Sequence, residues 1–251
     1  MAVRQSTIHK LEKYEQLMIP ARERFALSDG MRALQSSADE VFLEAFLLHF
    51  CSLGAQMTRP VERWIGRAAE RCAEIGLSEL ARALESHAKA EAGHHLMMIA
   101  DVASLTARWN ALRQPPMSAD GLLRQAPSPG VLTYCRVHED NIASRTPYAQ
   151  IAMEYEIEML PIRFGKLSIA KCVEVLGPEI VSCLSFLTEH ITLDIAHTEL
   201  NASLMAKMLR RDSQSISPLV SAGAAALDAY AAFLFDCVRL ADEEARKTTG
   251  R

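Results

Sequence analysis

No stretch of this 251-residue chain alternates apolar and polar residues with period two for long enough to make a convincing strand, which excludes a β-sheet core. An excess of positive charge is also lacking. The 27 lysines and arginines are spread among 31 aspartates and glutamates, giving a net charge of −4. That balance provides no broad basic field of the kind that dominates nucleic-acid binding, so nucleic acid is not an expected partner. Met1 to Pro20 has no apolar signal-peptide core, being studded with Arg4, His9, Lys10, Lys13 and several acids, and no uninterrupted run of about 20 apolar residues occurs anywhere. These absences point away from secretion and from a membrane and toward the cytoplasm. The six cysteines (Cys51, Cys72, Cys135, Cys172, Cys183 and Cys237) include no Cys-x2-Cys pair and lie in helical-looking segments. They read as small buried hydrophobes of a reducing compartment rather than as disulfide partners.

What is present is helical periodicity. Apolar residues recur at three- and four-residue steps nearly throughout, and a hydrophobic content of 49% is enough to bury a large core. The pattern predicts an all-α fold in one domain covering residues 1–251, with helices at 5–18, 38–57, 61–75, 77–108, 130–142, 148–175, 179–211 and 218–246. Gly177-Pro178 and Ser217-Pro218 mark breaks. The longest loop, Arg113 to Gly130, contains Pro115-Pro116, Asp120-Gly121 and Pro127-Ser128-Pro129-Gly130 and divides the chain into halves.

Each half carries one copy of a seven-residue pattern: His87-x3-Glu91-x2-His94 and His190-x3-Asp194-x2-His197. On a helix turning ~100° per residue, positions i, i+4 and i+7 fall within an arc of roughly 60°, so each copy predicts two imidazoles and a carboxylate on one stripe. Only about 0.03 such matches are expected by chance in a chain of this composition. Both stripes otherwise look like core: Leu80, Leu84, Met98, Val102 and Leu105 flank the first, and Cys183, Leu187, Asn201, Leu204 and Met208 the second. Burying such groups unpartnered costs several kcal/mol, so something must compensate. One answer is a set of buried His–carboxylate hydrogen bonds; the other is a shared metal site, which two matching rows favour by bringing four imidazoles and two carboxylates to one cavity.

A third helix offers more carboxylates. In Met153-Glu-Tyr-Glu-Ile-Glu-Met-Leu-Pro161, Glu154 and Glu158 share a face while Glu156 points elsewhere; Glu158 is the first choice of ligand and Glu154 the second, against the alternative of a solvated acidic stripe. Glu44 and His49 on helix 38–57 are weaker candidates to face the cavity. Asp101, two turns beyond His94, is placed to orient a ligand histidine without binding metal itself.

These segments, His87-Ala-Lys-Ala-Glu91-Ala-Gly-His94 with Asp101 and Glu189-His190-Ile-Thr-Leu-Asp194-Ile-Ala-His197-Thr, resemble the heme-oxygenase-like diiron oxidases and oxygenases, over about residues 38 to 211. The second motif is the more specific, and the family's carboxylate on the preceding long helix falls at Glu158. The first motif departs from many members, where a Glu stands at the position of His87; this leaves open whether His87 binds metal and how tightly the second metal is held. The resemblance implies a heme-oxygenase-like helical bundle, two Fe(II) per chain with the second bound more weakly, O2 as co-substrate, no heme, and a role in small-molecule biosynthesis.

The residues alone support a metal site that Fe(II), Mn or Zn could fill. The leading expectation is an O2-dependent non-heme iron enzyme acting on a small organic substrate, an amino acid or derivative being the first class considered. Arg145 and Arg163, beside or on the Glu158 helix, could anchor a substrate carboxylate, with a surface or interface salt bridge the first choice of role for each. Two alternatives stand beside it. One is a ferritin-like ferroxidase, suggested by Glu91-x2-His94 and Asp194-x2-His197. The other is metal-free chemistry of a thiaminase-like or cofactorless-oxidase kind, through Cys51 or His49. A homodimer is compatible with all three.

Overall fold

In the computed structural model, residues 2–250 are described, with side chains from Leu11 onward; the side chains of Arg4, His9 and Lys10 lie outside the described residues. Twelve α-helices are found among them and no strand: α1 (Ala2–Ala26), α2 (Asp29–Ser36), α3 (Glu40–Thr58), α4 (Val61–Glu74), α5 (Ser78–Glu91), α6 (His95–Leu112), α7 (Ala119–Leu123), α8 (Pro129–Ala143), α9 (Gln150–Leu160), α10 (Lys166–Leu176), α11 (Ser185–Arg211) and α12 (Ile216–Thr249). Their ends follow capping chemistry. Asp39 accepts from the amides of Val41 and Phe42 to start α3, and Ser128 accepts from Val131 with Pro129 at the first turn of α8.

The architecture is a bundle in which the long α12 packs on α3, α8 and α9, α3 on α6, α9 on α11, and α4 on α5. Backbones meet most closely where α8 crosses α12: a Cβ at Gly130 would lie 2.5 Å from the Phe233 nitrogen, so only glycine fits. The Gly130 amide also donates to Asp236 Oδ2 at 2.6 Å, tying the two helices together. The core between helices is filled by Trp109, Tyr14, Phe233, Leu48, Leu53 and their neighbours, all fully buried.

Several predicted elements differ from those observed. The helix expected at 77–108 is two, because Gly93 takes φ +85° and turns the chain between α5 and α6. The helix expected at 148–175 begins with a 3-10 turn at Pro147–Ala149 and is interrupted by a π-helical turn at Pro161–Gly165, where Pro161 has no amide to donate. The segment expected to start a helix at 179 is a 3-10 helix, Pro178–Cys183, before α11. The first helix runs on through Pro20 to Ala26, α2 follows it, and the long loop contains α7. Although no uninterrupted apolar run is long enough, two stretches with a few polar residues, Glu40–Glu74 and Ser213–Thr249, are long and apolar enough to cross a membrane by length and composition. The apolar window of the first is 78% buried inside the fold and that of the second 39%. The six cysteines are free thiols.

Candidate metal centre

Helices α5, α9 and α11 converge, and the loop between α5 and α6 closes over them. From α5 come His87 and Glu91, from α9 Glu158, and from α11 His190, Asp194 and His197. His94 is not on the stripe of the first two. It sits at the N-cap of α6, beyond the Gly93 turn, so the first row spans two helices where the sequence predicts one. The turn nevertheless returns His94 to the same place, its Nδ1 lying 3.0 Å from Glu91 Oε2.

The ligand-type atoms fall into two groups, each within 4.8 Å: His87, Glu91, Glu158 and His197 in one, Glu91, His94 and His190 in the other. Glu91 belongs to both. Its Oε1 lies 2.9 Å from His197 Nδ1 and its Oε2 faces His94, so one carboxylate lies between two candidate positions. His87 Nε2 lies 2.8 Å from Glu158 Oε1. Asp194 is buried beside these groups and lines the same cavity, with Oδ1 3.8 Å from His197 Nδ1, but belongs to neither cluster.

The orphaned atoms test whether a metal fits. His87 Nε2, Glu91 Oε1, His94 Nδ1, Glu158 Oε1, Asp194 Oδ1 and His197 Nδ1 are buried with no hydrogen-bond partner, even where they lie 2.8 to 3.0 Å from one another. These contacts miss hydrogen-bond alignment: nitrogens and oxygens crowd a shared space without aiming hydrogens across it. A cation in each group would satisfy its atoms together, with Asp194 Oδ1 at the edge, and the mixed imidazole and carboxylate set suits Fe(II), Mn or Zn.

Neighbouring groups fix the orientation of this set. His190 Nδ1 donates to the Phe186 carbonyl at 2.7 Å, since a carbonyl can only accept, and this leaves Nε2 bare toward the cavity. Asn201 Nδ2 donates to Glu158 Oε2 at 2.9 Å, leaving Oε1 for the cluster. In the sequence Asn201 is visible only as a polar residue at a core-like position of the second stripe; the Phe186 carbonyl leaves no trace there at all. Asp101 does not touch a histidine. It accepts from the Ser185 and Phe186 amides and from Ser185 Oγ, capping α11 from another helix, so its influence on His190 passes through the placement of that first turn.

Glu154 is buried one turn before Glu158 and accepts from Gln150 Nε2 at 2.5 Å; Gln150 in turn contacts His138 Nδ1 at 2.7 Å. Glu156 faces the opposite side of α9, as expected, but is not solvated. It is bound by Arg22 and by the Tyr14 hydroxyl, so no solvated acidic stripe exists. The remaining candidates lie elsewhere. Glu44 pairs with Arg108 and Arg113, and neither it nor His49 lines the cavity. Cys51 is fully buried and burial pushes its thiol up, the reverse of what a nucleophile needs. Arg145 and Arg163 are exposed and do not line the cavity; the charge of Arg163 acts on Glu15 instead. Among the described residues, no arginine lines this cavity to anchor a substrate carboxylate.

Electrostatics give the metal-free site a pH signature. Burial, with the charges of Glu158 and Glu91, raises the Asp194 carboxyl to about 9, and burial with the charge of Glu158 raises Glu154 to about 8. Burial alone would lower His87, but its contacts with Glu158 and Glu91 hold it up to about 10. In all three cases the folded state keeps a proton that the unfolded chain has released, from about pH 4 upward for the carboxyls and from about 6.5 for His87. Stability therefore falls as pH rises through these ranges. Burial lowers His190 to about 4 and His138 to about 3, so stability also falls below about pH 6.5, where the unfolded imidazoles take up protons. Thermal unfolding of metal-free protein should accordingly be most resistant near pH 6 and lose resistance toward pH 9. A bound divalent metal should flatten the alkaline decline by replacing those protons. An alkaline decline equally steep with and without metal would show that these groups do not meet the ion.

No family model matches the chain, and no curated protein matches it. Among solved structures it is similar to a domain of unknown function with a heme oxygenase-like fold from Shewanella denitrificans OS217, with a TM-score of 0.71 at 16% identity, covering 92% of this chain and 91% of that chain. The likeness shows the fold: this is an all-α bundle of the heme oxygenase-like kind.

Proposed function

We propose that the protein is an O2-dependent, non-heme diiron oxidoreductase acting on a small organic substrate. The observation that carries this reading is the shared Glu91 carboxylate between two groups of otherwise unpartnered buried imidazoles and carboxylates. His87, Glu91, Glu158 and His197 would hold one ion, and Glu91, His94 and His190 the other, with Asp194 at the edge of the set. Two ferrous ions, if bound there, would supply electrons for the reduction of dioxygen.

The chain's own part is to exclude water, orient and store a proton. Met98, Tyr134, Phe186 and Phe233 wall the cavity of about 80 Å³ against solvent. Glu154 Oε1 accepts from Gln150, which leaves its other oxygen to carry the proton that the raised pKa retains near neutral pH. That proton sits one helical turn from Glu158 and can be released toward the site as negative charge there is neutralised.

The test is anaerobic loading with Fe(II) followed by exposure to O2 in the presence of a panel of amino acids, aliphatic alcohols and aromatic compounds. O2 consumption accelerated by one of them, with an oxidised organic product in the mass spectrum, is the expected result. Fast O2 uptake with mineralised iron and no organic product would assign the ferroxidase role instead, and failure to take up iron would end the proposal.

A further inference from the structure

A second cavity, of about 440 Å³, lies directly beside the metal cavity. Pro161, Phe186 and Tyr230 line both, and the Phe186 ring stacks on His190 at 3.9 Å, so the partition between the two is one layer of side chains. The larger cavity is almost entirely hydrocarbon-walled, by residues such as Phe25, Leu43, Leu47, Phe164 and Leu234. Apart from Tyr230 on the shared wall, its polar lining residues are Gln35 on α2 and Ser168, Lys171 and Glu174 on α10, two helices that touch, and none of these four lines the metal cavity. Gln35 and Glu174 are exposed, and Lys171 Nζ lies 3.4 Å from Glu174 Oε1, which marks a mouth between α2 and α10. Among the described residues, the one lysine there is thus already paired, and no arginine or histidine lines the chamber.

Resting on the metal-site reading above, we propose that this cavity is the substrate chamber and that its occupant is a predominantly apolar molecule, held with its hydrocarbon end against Phe186 and its polar end at the Gln35–Lys171 mouth. A cavity of about 150 Å³ takes up a benzene ring, so one about three times larger admits roughly fifteen to twenty non-hydrogen atoms. A charged end pushed inward would lose its hydration with no charged partner, whereas at the mouth it keeps water and meets polar side chains. The part of the molecule presented to the metal groups is therefore hydrocarbon. This departs from the expectation of an amino acid anchored by arginine.

The chamber is tested on full-length protein as isolated, with its metal content measured alongside. Calorimetric titration uses straight-chain primary alcohols of about six to fourteen carbons; affinity should rise roughly fourfold per added methylene across the series. Ser168→Trp and Leu34→Trp, which place a ring into the lining away from the metal groups, should weaken binding of the longer alcohols by at least about tenfold, as expected for the loss of two or more methylene contacts, while leaving metal uptake unchanged. Orientation is read from 19F line broadening by Mn(II)-loaded protein, which should be stronger for a terminal trifluoromethyl label than for fluorine beside the hydroxyl. Binding without chain-length dependence, or unaffected by both tryptophan variants, overturns the chamber. Stronger broadening at the hydroxyl end overturns the orientation. If alcohols bind as described but no metal is taken up, the metal reading falls and the apolar site stands; if metal is taken up but alcohols do not bind, the chamber falls and the metal reading stands.

Discussion

Glu91→Ala should strip metal from both positions at once. Its two oxygens face different groups, Oε1 toward His197 and Oε2 toward His94, and no other single side chain is common to the two clusters. Losing a group that merely orients a ligand typically costs about 10- to 100-fold in metal affinity, and loss of a shared ligand should exceed about a hundredfold at each position. After anaerobic dialysis against Fe(II), elemental analysis should find about two ions per wild-type chain, close to none in Glu91→Ala, and about one in His94→Ala, which is present in only one cluster. Retention of one ion by Glu91→Ala would mean that the two positions do not share this carboxylate.

The largest stability effect is expected at Glu156, which takes no part in the metal site. Arg22 and Glu156 form a buried pair with side chains only 14% and 1% exposed, and Tyr14 donates to the same carboxylate at 2.9 Å. Glu156→Ala leaves the Arg22 guanidinium with only the part-exposed Glu15. Breaking a buried pair from one side costs about 3–5 kcal/mol, or roughly 6–20 °C in Tm for a chain of this size. Differential scanning calorimetry should show that fall while metal uptake by the folded variant stays at the wild-type level. An unchanged Tm would show that the Arg22 charge finds water or another partner at no cost. On sequence spacing alone this substitution looks harmless, because a residue facing away from one cavity is expected to face solvent; in a bundle of this depth the other side of α9 is buried as well, under α1.

Helical periodicity is local, so the all-α class, most helix positions and the meeting of the two His-acid-His rows with Glu158 are legible in the sequence. The Gly93 turn is not. Its positive φ is set by how α5 and α6 pack, and the residues on either side keep a helical pattern, so the row looks continuous. Asp101 looks like a partner of histidine because three-residue and four-residue spacing describes its own helix and says nothing of α11, whose amides it caps. The arginines are exposed, as a surface or salt-bridge role expects: nearness along the chain to Glu158 does not give nearness in space, and the charge of Arg163 acts on Glu15. The apolar chamber is invisible because its walls come from α1, α2, α3, the end of α9 with the π-helical turn, α10, α11 and α12, and no one of those stretches differs from ordinary core.

The π-helical turn at Pro161–Gly165 has a consequence for how the two cavities can change. On an unbroken α-helix Cys172, fourteen positions after Glu158, would project close to the same direction. The wider turn holds one residue more than regular winding, which shifts the phase of everything after it by about 100°. Glu158 therefore addresses the metal groups while Cys172 addresses the chamber, although both stand on one nearly continuous rod. Substitutions on that rod alter the texture of one cavity or the other. A single-residue deletion within 161–165 is a different kind of change: it would rotate α10 away from the chamber in one step and leave the Glu158 end where it is.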